Sequence, residues 1–155
     1  MNPRPAPPYD EFDPECVELC QAINALPGIW TTESCCGHAR HEFHVWMHFA
    51  ASDLRGLVLL TRAVDHRYSG GPRWALELSI SDVPDPENVA QAISVLLTSP
   101  TGCVGQTAYE QAHDLADNIA ISVNHPNFLK GFGLDALKGL LPIPASAPEW
   151  MKQGA

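Results

Sequence analysis

Hydroxyl, carboxylate, thiol and imidazole groups crowd into one short stretch, Thr31-Thr32-Glu33-Ser34-Cys35-Cys36-Gly37-His38. A thiol at Cys35 or Cys36 becomes a nucleophile where the local field lowers its pKa, and His38 would supply that field or act as a base. Gly37 can take a positive φ and let backbone amides converge on an anion, with Ser34 adding a hydroxyl donor. The same residues would also suit a tight turn of small side chains chosen for packing. Cys35 and His38 are thus the catalytic candidates if the chain is an enzyme. Thr32, Ser34, Cys35, Cys36, Gly37 and His38 are the ligand-binding ones.

His38, His41, His44 and His48 follow one another closely. Together with Cys35 and Cys36 they offer zinc-type donors. Their spacing fits no common finger, and no second Cys/His pair stands at a ribbon spacing, so no metal site is expected. His44 and His48 would share a strand face with Trp46, as a pocket wall or a solvated surface. Arg73 beside Trp74 would stack on a ligand, or sit at an ordinary strand edge. Glu77, Ser79, Ser81 and Asp82 read as a wet sheet surface, and Tyr109 as core. Gly102 and Gly105 make a weak anion-site motif before a helix. Cys16 and Cys20 read as small hydrophobes.

The elements that must position these groups are legible from periodicity. Asp13 suits an N-cap, Pro14 a first helical position and Glu15 the positive helix end. Cys16, Leu19, Cys20, Ile23 and Leu26 then share a helical face, ended by Pro27-Gly28. Ile29–Thr32 reads as a strand running into a Ser34–His38 loop. From Glu42 to Phe49 the chain alternates, with Phe43, Val45, Met47 and Phe49 inward. A second helix follows Ser52 or Asp53, with Leu54, Leu57, Val58, Leu60 and Val64 inward. Gly56 weakens it by about 1 kcal/mol relative to Ala.

Tyr68–Pro72 reads as a turn, and Trp74, Leu76, Leu78 and Ile80 as the inward side of a third strand. Pro84–Asn88 reads as a loop. Ala92–Thr98 is expected as a strand rather than a helix. Thr107–Val123 is a helix with Tyr109, Ala112, Ala116, Ile119, Ala120 and Val123 buried. The expected order is α-β-β-α-β-β-α, an α+β domain with helices packed on one mixed or antiparallel sheet. It would span residues 13–125. A disordered arm over residues 1–12 would precede it. A Gly- and Pro-rich tail over 126–155, with a short helix at Leu134–Leu141, would follow and pack weakly.

The 155 residues, 45% of them hydrophobic, suit one domain burying roughly 70% of its unfolded surface. No apolar run approaches the ~20 residues of a membrane span. The proline-rich start lacks the apolar core of a secretory signal, so a soluble, cytoplasmic protein with no membrane partner is expected. Five cysteines without a signal argue for free thiols. A net charge of −9 and scattered basic residues weigh against tight nonspecific nucleic-acid binding.

The stretch Ile23-Asn24-Ala25-Leu26-Pro27-Gly28-Ile29-Trp30-Thr31-Thr32-Glu33-Ser34-Cys35-Cys36-Gly37-His38 resembles the N-terminal part of the wybutosine-synthesis tRNA methyltransferases. In that family a helix and strand lead into a Thr-Thr-x-Ser-Cys-x-Gly motif. The likeness is strongest over residues 13–49. Gly70-Gly71-Pro72-Arg73-Trp74 with Ser79 and Ser81-Asp82 forms a looser second block. The resemblance implies an α+β fold and puts Ser34, Cys35 and Gly37 in the family's functional loop. It also implies a pocket admitting a nucleotide or S-adenosylmethionine. His38 stands where the family usually has Arg. The strand at Val95-Leu96-Leu97-Thr98 lacks the family's Lys, Glu and His. The chain looks more like the short stand-alone members of that family found among bacterial and phage proteins.

The expected function is a pocket for a nucleotide-like or anionic small molecule around Ser34–His38. His44, Trp46, Arg73 and Trp74 are expected to complete it. The alternatives are an S-adenosylmethionine-dependent RNA-modifying methyltransferase and a zinc-binding interaction protein.

Overall fold

The computed structural model describes residues 7–65, 73–80 and 93–153. Helix α1 spans Pro14–Asn24, strand β1 Ile29–Cys35, β2 His44–Phe49 and helix α2 Arg55–Val64. Strand β3 spans Ala75–Ile80, β4 Ile93–Thr98 and helix α3 Gln106–Ser122. Two short helices follow, α4 at Pro126–Gly131 and α5 at Glu149–Lys152. The expected α-β-β-α-β-β-α order is therefore present, with α4 and α5 added. The Tyr68–Pro72 turn and the Pro84–Asn88 loop, with Ser81 and Asp82, lie outside the described residues.

The sheet is antiparallel in the order β1-β2-β4-β3. Alternation sorts its side chains between two faces. Val45, Met47, Val95 and Leu97 are buried on the helix side. The other face carries His44, Trp46 and His48 from β2 and Leu96 from β4, all half-buried. Helix α1 packs on β1 and α3, and α2 packs on α3. Their inward residues, among them Leu19, Ile23, Leu59, Leu60 and Ile119, are fully buried.

The expected inward face of α2 is rotated. Leu54 and Val58 are exposed, whereas Gly56, Leu59, Leu60 and Ala63 are buried. The cause is a tertiary hydrogen bond: Gly56 N–H donates to the Pro27 carbonyl at 2.9 Å. A Cβ at Gly56 would run into that same oxygen. The helix thus leans on the α1–β1 turn through its glycine, and Leu54 becomes the residue before its first turn. Asp53 still serves the helix start, accepting Arg55 N–H at 3.2 Å.

The ends of the chain also differ from expectation. Tyr9–Glu11 is a 3-10 turn rather than disordered arm. Tyr9 and Phe12 meet edge to face and pack on the core, and the Asn24 side chain donates to the Tyr9 hydroxyl at 2.9 Å. The same amide donates to Thr31 Oγ1 and accepts Thr31 N–H, tying α1 to β1. After α3, the helix lies at Pro126–Gly131 and only a 3-10 turn, Asp135–Leu137, falls within the expected Leu134–Leu141 helix. Leu129, Leu134 and Leu137 join the core. Pro126 opens α4 at a position where its missing N–H costs nothing, and the His125 ring accepts Phe128 N–H.

Candidate functional site

Strand β1 runs three residues past the expected Thr32, so Ser34 and Cys35 are strand residues paired with Val45 and His44. The register shifts between Thr31 and Glu33. This bulge leaves Thr32 exposed at the sheet edge. It also decides which way the following side chains face. Ser34 sits on the helix side, beside the Cys16 and Cys20 thiols. Cys35 shares the open face with His44. The loop proper thus begins only at Cys36 and runs to Phe43.

That loop is a left-handed turn. Gly37 has φ +76°, His38 +48° and Ala39 +62°. Glycine adopts this region freely, whereas histidine and alanine do so at a cost of about 1–2 kcal/mol each. The turn is held from several sides. Gly37 lies so close to the Glu42 carbonyl that a Cβ would meet its oxygen at 3.0 Å. Ala39 packs against Gly105, just before α3. Beyond the turn, Ser99 Oγ accepts Phe43 N–H at 3.0 Å and donates to the Cys103 carbonyl.

Two helix starts abut this turn. Asp13 precedes α1, yet its carboxylate makes no cap hydrogen bond within its own helix. Instead Asp13 Oδ2 accepts Cys36 N–H at 3.1 Å and stands 3.8 Å from His38 Nε2. The Cys36 amide holds the Asp13 carboxyl below its ordinary range against an opposing desolvation. From the first turn of α3, the Tyr109 hydroxyl donates to Cys36 Sγ at 3.8 Å. Cys36 Sγ also lies 3.6 Å from His38 Nδ1. Asp13, Cys35 and His38 offer ligating atoms that all lie within 4.8 Å of one another.

The electrostatics restrict the chemistry. Burial pushes the Cys36 thiol up, and the Asp13 carboxylate adds to this. Cys36 is therefore a neutral thiol rather than a pre-ionised nucleophile. Burial likewise pushes Cys16 up to about 12 and Cys20 to about 11. Cys35 is half-exposed and accepts Gly37 N–H at 3.4 Å. With the Cys36 and Gly37 amides engaged inside the turn, neither points free at an anion.

The expected site residues thus divide. Cys35, Cys36, Gly37 and His38 gather at the turn. His44 adjoins them through its pairing with Cys35, and Trp46 and His48 continue along that face. Arg73 and Trp74 do not join. They precede β3, three strands from β1, so about 14 Å separates them from Cys35 at ordinary strand spacing. Trp74 is core, edge to face with Phe43, and Arg73 pairs with Asp65 at 3.0 Å. Asp13 and Tyr109, read from sequence as a cap and a core residue, belong to the site. Nothing in their spacing announces it.

A cavity of about 530 Å³ lies elsewhere, lined by Asn124, Lys138, Leu141, Ile143, Trp150 and Met151 among others. It adjoins the far end of α3, about 22 Å along the helix from Tyr109. Among the described residues no helix is long and apolar enough to cross a membrane. Comparison with protein-family models, with curated proteins and with solved structures returns no match.

Proposed function

We propose that this chain is a ligand-binding module of the cytoplasm whose site is the β1–β2 turn and the open sheet face beside it. Its ligand is a nucleotide-like small molecule, held by its flat base rather than its phosphates. One observation carries the reading. The half-buried aromatic row of His44, Trp46 and His48, with Trp30 tilted against His48 at 6.2 Å, runs directly into Cys35 and a strained turn. Aromatic side chains on an open sheet face offer a stacking platform for a nucleobase. Backbone strain concentrates where ligands are gripped. Asp13 and the engaged amides disfavour a phosphate at the turn itself.

The resemblance of Thr31–His38 to the wybutosine-synthesis tRNA methyltransferases supports the same corner as the site. It makes S-adenosylmethionine the first ligand to try. Methyl transfer to RNA is the second reading, favoured by the half-exposed Cys35 at the edge of the platform.

The test is a fluorescence titration with adenosine, adenosine monophosphate and S-adenosylmethionine in chelator-containing buffer. Saturable quenching is expected, with the phosphate adding little affinity. Trp46→Ala should abolish most of the signal, whereas Trp150→Ala should leave it. If none of the three compounds gives saturable quenching, the nucleobase reading fails.

A further inference from the structure

The same corner holds a donor set that base stacking does not use. Asp13 supplies a carboxylate from the start of α1, Cys35 a thiol from the end of β1, and His38 an imidazole from the left-handed turn. We propose that Asp13, Cys35 and His38 form a binding site for a thiophilic divalent cation of the zinc class. This inference stands independently of the nucleobase reading.

Geometry comes first. Donors bonded tetrahedrally at about 2.0–2.3 Å stand about 3.5 Å from one another. Here the three ligating atoms lie within 4.8 Å of each other, and His38 Nε2 already stands 3.8 Å from Asp13 Oδ2. The His38 side chain is 67% exposed and Cys35 is half-exposed, so small side-chain rotations close the set while the backbone stays in place. The turn that aims His38 is held by Asp13, Glu42 and Gly105, as described above.

The chemistry of the donors selects the ion. One sulfur, one imidazole nitrogen and one carboxylate oxygen suit zinc and related late transition metals, not magnesium or calcium, which take oxygen throughout. Three protein ligands leave a fourth position for water or an exogenous group. Histidine ligands have their second nitrogen oriented by a neighbour. Cys36 Sγ, 3.6 Å from His38 Nδ1, occupies that place and leaves Nε2 toward Asp13. Tyr109 in turn holds Cys36. The carboxylate that discourages an anion at this turn favours a cation.

A second cluster, Glu18, His113 and Asp117, also groups ligating atoms. It contains no sulfur, which makes the two sites separable by spectroscopy. The experiment is titration of chelator-stripped, reduced protein with Co²⁺, followed by competition with Zn²⁺. One equivalent should bind with a sulfur-to-metal charge-transfer band that Zn²⁺ bleaches. Cys35→Ser should remove the band, and His38→Gln should weaken binding about tenfold or more. Both side chains reach solvent, so both variants keep the fold, as circular dichroism will verify. Glu18→Gln should leave the band intact. Absence of a sulfur band in the wild-type protein overturns the proposal. So does an undiminished band in Cys35→Ser, which would place the thiolate ligand at another cysteine.

Discussion

Asp13 accepts the backbone N–H of Cys36 at 3.1 Å and makes no cap hydrogen bond within the helix it precedes. A residue whose type and place suit helix capping thus serves as a clamp across 23 positions of sequence. The clamp joins the start of α1 to the turn after β1, and the candidate site hangs on it.

Asp13→Asn should therefore loosen the turn. A hydrogen bond to a charged acceptor contributes about 1.5–3 kcal/mol, and a fall in unfolding free energy near the lower figure is expected at neutral pH. The folded carboxyl lies below its ordinary value of 3.8. Its contribution is then complete above pH ~4 and disappears as pH falls through the folded value. Urea titrations at pH 7 and at pH 3 should show the variant's deficit shrinking at the acid end. An equal deficit at both would mean that ionisation of Asp13 is not what holds Cys36.

Relief of the strained turn should raise stability. Ala39 has φ +62°, where glycine is favoured over alanine by about 1 kcal/mol, so Ala39→Gly should move the urea midpoint upward. Gly37→Ala should do the reverse. It forces a side chain into φ +76° and against the Glu42 carbonyl. A destabilised Ala39→Gly would count against the left-handed turn.

Gly56→Ala tests the docking of α2. In a solvent-exposed helix this change stabilises by about 1 kcal/mol. Here the new methyl would collide with the Pro27 carbonyl, and overpacking of this kind costs about 1–3 kcal/mol. The expected outcome is a lower melting temperature. A higher one would mean that α2 does not lean on the Pro27–Gly28 turn.

The thiols should separate by reactivity. Cys35 and Cys103 are half-exposed, whereas Cys16, Cys20 and Cys36 are buried, with Cys16 and Cys20 pushed up to about 12 and about 11. Iodoacetamide at pH 8 followed by peptide mass spectrometry should mark Cys35 and Cys103 in the native protein. Cys16 and Cys20 should react only in denaturant. Labelling of Cys16 as fast as Cys35 would contradict the packing of α1.

His113 on α3 faces Glu18 on α1 at 2.9 Å, with Asp117 at 3.8 Å. The Glu18 hydrogen bond, then its charge, raise the His113 pKa above 6.5. The pair's contribution is complete below pH ~6.5 and is lost as pH rises through the raised folded value. Exposed pairs contribute under about 1 kcal/mol, so the sensitive readout is an NMR titration of the ring. Glu18→Gln should lower the midpoint. An unchanged midpoint would show that Glu18 is not its partner.

Some of this architecture is decided by neighbours along the chain. The alternation of Phe43, Val45 and Met47 against His44, Trp46 and His48 reports which side of β2 is dry. The stripe on α3 follows from the same local rule of period, and the start of α1 at Pro14 from proline's fitness for a first helical position. The strand at Ile93–Thr98 ended where Thr98-Ser99-Pro100 breaks the pattern. The Cys35–His38 corner was legible as well, because hydroxyl, thiol and imidazole groups beside a glycine are uncommon together.

What local pattern cannot carry is contact between distant residues. The inward face of α2, with Leu59 and Leu60 buried, includes Gly56, whose hydrogen bond to Pro27 its own pattern of leucines does not announce. Trp74 fits the alternation of β3 as an inward residue and its neighbour Arg73 as a ligand contact, and the packing against Phe43 decides for the core. The order of the strands, and so the distance of about 14 Å across the sheet, exists only once the chain has paired. For the site itself, the reactive residue types and the glycine turn that could hold them can be read along the chain. That Asp13 and Tyr109 join them follows from packing alone. Helix starts far apart in sequence meet at one strand end because α1 and α3 pack together on the same face of the sheet.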